Sequence, residues 1–169
     1  SSLVKLGYHK PIMIAGGIGS INNKHTAKNI LHNGDLIVIL GGPSFRIGIG
    51  GGAASSMQSG SSSEALDFAS VQRDNAEIQR RCQEVINFCN SEDPSIIEFI
   101  HDVGAGGLSN AIPELAKDSK HGVFIHWETI PCADESMSPM EIWSNESQES
   151  YVIAINKDNE KVFEAICQR

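Results

Sequence analysis

The chain has 169 residues, a mass of 18.2 kDa and a net charge of −8, from 13 Lys and Arg against 21 Asp and Glu. That length fits one domain with room for an extra lobe and excludes a large multidomain machine; a chain of this size buries roughly 70% of its unfolded surface and needs no disulfide or metal staple. The acidic balance argues against a nucleic-acid backbone or an anionic membrane held by bulk electrostatics, yet leaves open a local phosphate site, because backbone N–H groups hold anions without net positive charge.

In chain order, residues 1–34 read as a lead-in from a preceding domain, and residues 35–169 as the domain proper. The chain opens on Ser1-Ser2 with no initiator Met and no signal peptide, as an excised piece of a longer protein would. Pro11-Ile12-Met13-Ile14-Ala15 is a short extended run stopped by Gly16-Gly17. His32-Asn33-Gly34-Asp35 signals a turn, and residues 35–40 then read as a strand buried on both faces. Leu36 to Leu40 is the longest apolar run, far short of the about 18 residues that cross a bilayer. Residues 41–63 are biased to Gly and Ser, but Ile47-Gly48-Ile49-Gly50 and Ala53-Ala54-Met57 are too apolar for a plain linker, so a shaped loop is expected.

A helix is predicted over residues 74–90, with Asp74 as cap and Glu77 three later; Ile78, Cys82, Val85, Ile86 and Cys89 form its apolar stripe. Residues 96–100 follow as a strand, with Asp102 just past its end and Gly104-Ala105-Gly106-Gly107 after it. A helix over residues 110–117 would hold Pro113 in its first turn. Residues 122–127 alternate like a strand. Ser138-Pro139-Met140-Glu141 combines an N-cap, Pro at the first helical position and a capping-box Glu, for a short helix ending near Trp143. Residues 151–155 read as a strand, and Val162, Phe163, Ile166 and Cys167 line a last helix. The alternation predicts a layered α/β domain. The four cysteines (Cys82, Cys89, Cys132, Cys167) make no CxxC pair, so reduced thiols in a cytoplasmic protein are expected, with Cys82 and Cys89 packed in the core.

Several chemistries fail on spacing. Gly48 to Ala53 matches the dinucleotide fingerprint, but Pro43 to Ile47 separate it from the strand, and Glu64 and Asp67 stand in a serine-rich context instead of after a second strand. A nicotinamide oxidoreductase would therefore need independent evidence of dinucleotide binding. No Walker pattern and no Gly-x-Ser-x-Gly elbow is present. His121 and His126 are five apart on an extended run and point to opposite faces, so they share no metal. The sharpest local signal is Ile100-His101-Asp102-Val103-Gly104-Ala105-Gly106-Gly107-Leu108: a carboxylate at a strand's carboxyl end, followed by small residues that allow close backbone approach. One carboxylate with phosphate oxygens and waters is a common Mg²⁺ arrangement, and a carboxylate satisfying its own turn N–H groups is the alternative. Asn145-Glu146-Ser147-Gln148-Glu149 is either a polar ligand surface or a solvated connection, and Gln72 sits beside a helix N-terminus.

These segments together resemble the phosphoribosylformylglycinamidine synthase family in its long, single-chain form. The matching stretches are Gly7 to Gly19, Gly48 to Met57, Leu66 to Asn75, Ile100 to Leu115 and Met137 to Val152, nearly the whole chain. The resemblance implies the first domain of the type found at the C-terminus of aminoimidazole ribonucleotide synthetase, a three-layer α/β/α (α+β) domain with a mixed sheet. It implies ATP- and glutamine-dependent amidation of formylglycinamide ribonucleotide: ATP phosphorylates the formamide oxygen and glutamine-derived ammonia displaces phosphate. It places a Mg²⁺-binding aspartate at Asp102 and substrate contacts at Gln72, Glu146, Ser147 and Gln148. It puts the catalytic histidine, nucleotide lysine and glutaminase residues in neighbouring domains, so that the 169-residue chain by itself turns over nothing. The competing expectation is a domain of the same enzyme that only packs against its neighbours.

Overall fold

The computed structural model describes residues 14, 16–49, 75–147 and 149–168. Among these residues three strands form one sheet, β1 (Leu36–Gly41), β2 (Ile97–Asp102) and β3 (Ser150–Ile155), in the order β1-β3-β2. Among the described residues four α-helices accompany them: α1 (Ala76–Ser91), α2 (Leu108–Ser119), α3 (Pro139–Ser144) and α4 (Glu160–Cys167). Both outer strands are antiparallel to β3, with Ile39 opposite Val152 and Ile100 opposite Ile153. The α/β layering is as expected, but the sheet among the described residues is antiparallel throughout, where a mixed one was expected. β1-α1-β2 has the direction of a parallel crossover unit, but β3 is inserted between its strands, and the parallel pairing among the described residues is one isolated bridge, Ser44 to Cys132.

The layers follow from the alternation of side chains along β3. Val152 and Ala154 point to one face, where Leu108, Ala111, Ile112 and Leu115 of α2 and Ile142 of α3 cover them. Ile153 and Ile155 point to the other, against Cys89 and Val85 of α1 and Phe163 and Ile166 of α4. β3 is therefore buried on both sides, whereas β1, the strand expected to be buried on both faces, stands at the sheet edge with its residues only partly buried; the three-layer arrangement holds. A bulge between Ile97 and Phe99 shifts the register by one residue, so Ile97 joins the α1–α4 face while Phe99 joins the α2–α3 face. Fully burying a side chain such as Leu115 or Ile153 is worth about 2 kcal/mol each, so the two half-cores carry the fold.

Local signals set the element ends. Ser138 and Glu141 form the predicted capping box, with Pro139 opening α3. The α1 cap is Asn75, one residue later than expected: its Oδ1 accepts from the Ile78 N–H at 3.1 Å, and Asp74 lies outside the described residues. Ion pairs Glu77–Arg81 and Arg80–Glu84 stand on the exposed face of α1. Helix α2 starts at Leu108, two residues before the predicted start, because the Gly107 carbonyl accepts from the Asn110 and Ala111 N–H groups. Pro113 is thus an interior residue of α2 and gives the Ser109 carbonyl no N–H. The predicted strand over residues 122–127 does not form. Val123 and Ile125 face the core and Phe124 and His126 face out, but no ladder joins them, and Trp127–Thr129 closes into a 3₁₀ turn. The alternation in the sequence reported a buried face, not a hydrogen-bonded neighbour.

All four cysteines are free, with Cys82 and Cys89 in the core as predicted; burial pushes the Cys89 thiol up to about 11. Among the described residues no helix is long and apolar enough to cross a membrane.

Candidate functional site

Because β1 and β2 each run antiparallel to β3, their carboxyl ends lie beside its amino end: Gly41 pairs with Ser150 and Asp102 with Tyr151. Three connections leave this edge, and the structure ties them together. Asp102 is the last residue of β2 instead of the first beyond it. Its side chain is 80% exposed, and its polar neighbour among the described residues is His101, whose Nδ1 is 3.7 Å from Oδ1. The Val103 N–H donates to the Ser150 carbonyl (3.0 Å), and the turn that follows is closed by backbone, the Gly107 N–H donating to the Gly104 carbonyl at 2.9 Å. The Asp102 carboxylate is therefore not consumed by its own turn.

Glu146 joins the other two segments. Its N–H donates to the Ile47 carbonyl (2.7 Å), and its Oε1 accepts from the Gly106 N–H at 2.9 Å. Gly48, at φ +62°, lies directly against the same side chain, where a Cβ would come within 2.7 Å of Glu146 Cβ and Cδ. Ser147 is buried, and its Oγ accepts from the Phe45 N–H at 2.8 Å. Asn145, also buried, donates from Nδ2 to the Glu141 and Ile142 carbonyls and accepts the Ser147 N–H, finishing α3. The floor beneath, lined by Ser44, Val103, Leu108 and Asn145, leaves a cavity of about 20 Å³, room for a single water. The structure thus brings Asp102, Glu146 and Ser147 to one edge of the sheet. Gln72 and Gln148 lie outside the described residues, as does the glycine- and serine-rich stretch from residue 50 to 74.

Arg46 escaped the sequence reading. Its guanidinium pairs with Asp134, lies 3.1 Å from Glu141 Oε1 and donates to Ser136 Oγ at 2.9 Å. Hydrogen bonds from Ser136 and the Arg46 charge hold Asp134 below the usual carboxylate range; Ser138, then Arg46, do the same for Glu141. Arg46 thereby fastens the root of the glycine-rich stretch to α3. A lone arginine among glycines was the available signal, but its partners lie 88 to 95 residues away.

Among the described residues no three His, Cys, Asp or Glu side chains converge on a common point. Asp102 offers a hard, solvent-facing oxygen ligand that suits Mg²⁺, provided the other ligands come from phosphate, water or another part of the protein.

Residues 32–169 match the family described as AIR synthase related protein, C-terminal domain. Among solved structures, Thermotoga maritima PurL complexed with FGAR aligns with a TM-score of 0.70 at 27% identity, covering 83% of this chain and 23% of that one. Thermotoga maritima phosphoribosylformylglycinamidine synthase II aligns with a TM-score of 0.67 at 23% identity, over 88% of this chain and 22% of that one, a likeness of fold. The chain spans less than a quarter of the length of these structures. The family match takes in every β-strand and α-helix described above, and the chain belongs to the AIR synthase-related C-terminal domain family.

Proposed function

We propose that this chain is a domain of a longer phosphoribosylformylglycinamidine synthase and supplies one side of its ATP-dependent amidation site. The observation that carries the reading is the junction itself: the exposed Asp102 carboxylate stands at one end of the turn whose Gly106 N–H is held by Glu146, which in turn packs on Gly48. The likeness to PurL complexed with FGAR supports the substrate class. In this reading ATP phosphorylates the formamide oxygen of formylglycinamide ribonucleotide, and ammonia from glutamine displaces phosphate. Asp102 would hold Mg²⁺, which when bound would supply charge neutralisation for phosphoryl transfer. Gln72 and the segment Glu146, Ser147, Gln148 position the substrate, Ser147 by fixing the backbone of that segment on Phe45. The dinucleotide-oxidoreductase alternative gains nothing from this geometry.

A second reading, a domain that only packs, is favoured by one observation: the polar atoms of Glu146 and Ser147 are engaged within the domain. Turnover of the full-length Asp102→Asn variant separates these two readings of the domain, and assay of product by mass spectrometry tests the enzyme itself. The full-length protein is expected to form formylglycinamidine ribonucleotide from ATP, glutamine and formylglycinamide ribonucleotide, and the separate 169-residue chain none. Turnover by the separate chain, or its absence in the full-length protein, contradicts the proposal.

A further inference from the structure

We infer that His101 and Glu114 form a positioning pair that fixes the backbone of Asp102 and pre-aims its carboxylate at a divalent cation, an inference that rests on the reading of Asp102 as a metal ligand. His101 lies across from Val152 on the α2 side of the sheet, its ring 20% exposed. Its Nδ1 lies 2.6 Å from the Asp102 carbonyl oxygen; a carbonyl only accepts, so that nitrogen carries hydrogen and donates. Its Nε2 lies 3.2 Å from Glu114 Oε2 on α2, a contact that holds the ring from the opposite end when that nitrogen also carries hydrogen.

The consequence lies in the peptide unit between Asp102 and Val103. That unit is planar. Its C=O is taken by His101 and its N–H by the Ser150 carbonyl at 3.0 Å, in opposite directions. The orientation of the plane, and with it ψ of Asp102, is fixed at the last residue of a sheet-edge strand, where the ladder alone would leave it loose. The Cα–Cβ direction follows, leaving the exposed carboxylate only its own rotamers. A ligand aimed in advance loses less freedom on binding, and outer partners of this kind are typically worth about 10–100-fold in metal affinity.

The test is Mn²⁺ binding to the full-length protein, followed by the electron paramagnetic resonance of the free ion. His101→Leu is expected to weaken Mn²⁺ binding about 10-fold or more while the KM for formylglycinamide ribonucleotide is unchanged. His101→Asn, whose amide nitrogen takes the place of Nδ1, recovers most of the loss. Glu114→Ala, a change on a partly exposed helix face, weakens binding in the same direction and serves if His101→Leu does not fold. Wild-type affinity in His101→Leu or in Glu114→Ala, or equal losses in His101→Leu and His101→Asn, overturns the pair. Asp102→Asn separates the two layers of the inference: it is expected to lose the Mn²⁺ site, and unchanged binding there overturns the metal-ligand reading itself.

Discussion

Gly107→Ala is expected to lower the unfolding temperature by about 10 °C. Gly107 has φ 62° and ψ −144°, a region open to glycine and strained for any L side chain. A Cβ there would fall on the Asn145 carbonyl oxygen and within 2.9 Å of its carbon. Neither side can yield: Asn145 is buried and bound to the Glu141 and Ile142 carbonyls, and the Gly107 carbonyl anchors the first turn of α2. Backbone strain alone costs of order 1–3 kcal/mol, and the steric conflict brings the total to roughly 3–4 kcal/mol. At about 2–4 °C per kcal/mol for a chain of this size, that gives the stated shift. Gly104→Ala is the control, since among the described residues its added Cβ meets Asp102 Oδ2 alone, at an ordinary 3.5 Å. Thermal unfolding followed by circular dichroism decides it; similar transitions for the two variants would contradict this packing account.

Asp102→Asn is expected to cut turnover of the full-length enzyme by on the order of 10²–10³-fold with the fold intact. Asn keeps the shape of the side chain and removes the charge. Charge neutralisation by a metal is worth several kcal/mol in such transfers, and each 1.36 kcal/mol is a factor of ten in rate. Because the carboxylate is 80% exposed and closes no turn, the substitution leaves the hydrogen bonds of Val103 and Gly107 in place. Steady-state kinetics across a range of Mg²⁺ concentrations should show the loss partly offset by added metal. Unchanged kcat and unchanged Mg²⁺ dependence would favour the packing role.

Features decided within a turn or two of chain were legible in the sequence. The Ser138–Glu141 box, the apolar stripe of α1 and the carboxyl-end position of Asp102 follow from neighbours a few residues apart. Features decided by distant partners were not. Nothing near Glu146 announces that Gly106, 40 residues earlier, will donate to it, and the insertion of β3 between β1 and β2 depends on the whole chain. The failed strand over residues 122–127 is the instructive case: a period of two requires one buried face, and Val123 and Ile125 provide it by packing alone. His101 stood in plain view within the motif, but its role depends on Glu114 lying on the next helix at the right height.

The proposed chemistry depends on a cation held by Asp102. Anomalous diffraction from crystals of the full-length protein grown with Mn²⁺ and ATP tests it directly. A Mn²⁺ peak is expected within inner-sphere distance, about 2.1 Å, of an Asp102 carboxylate oxygen. A fully occupied metal–nucleotide site with the Asp102 side chain turned to bulk solvent would contradict it.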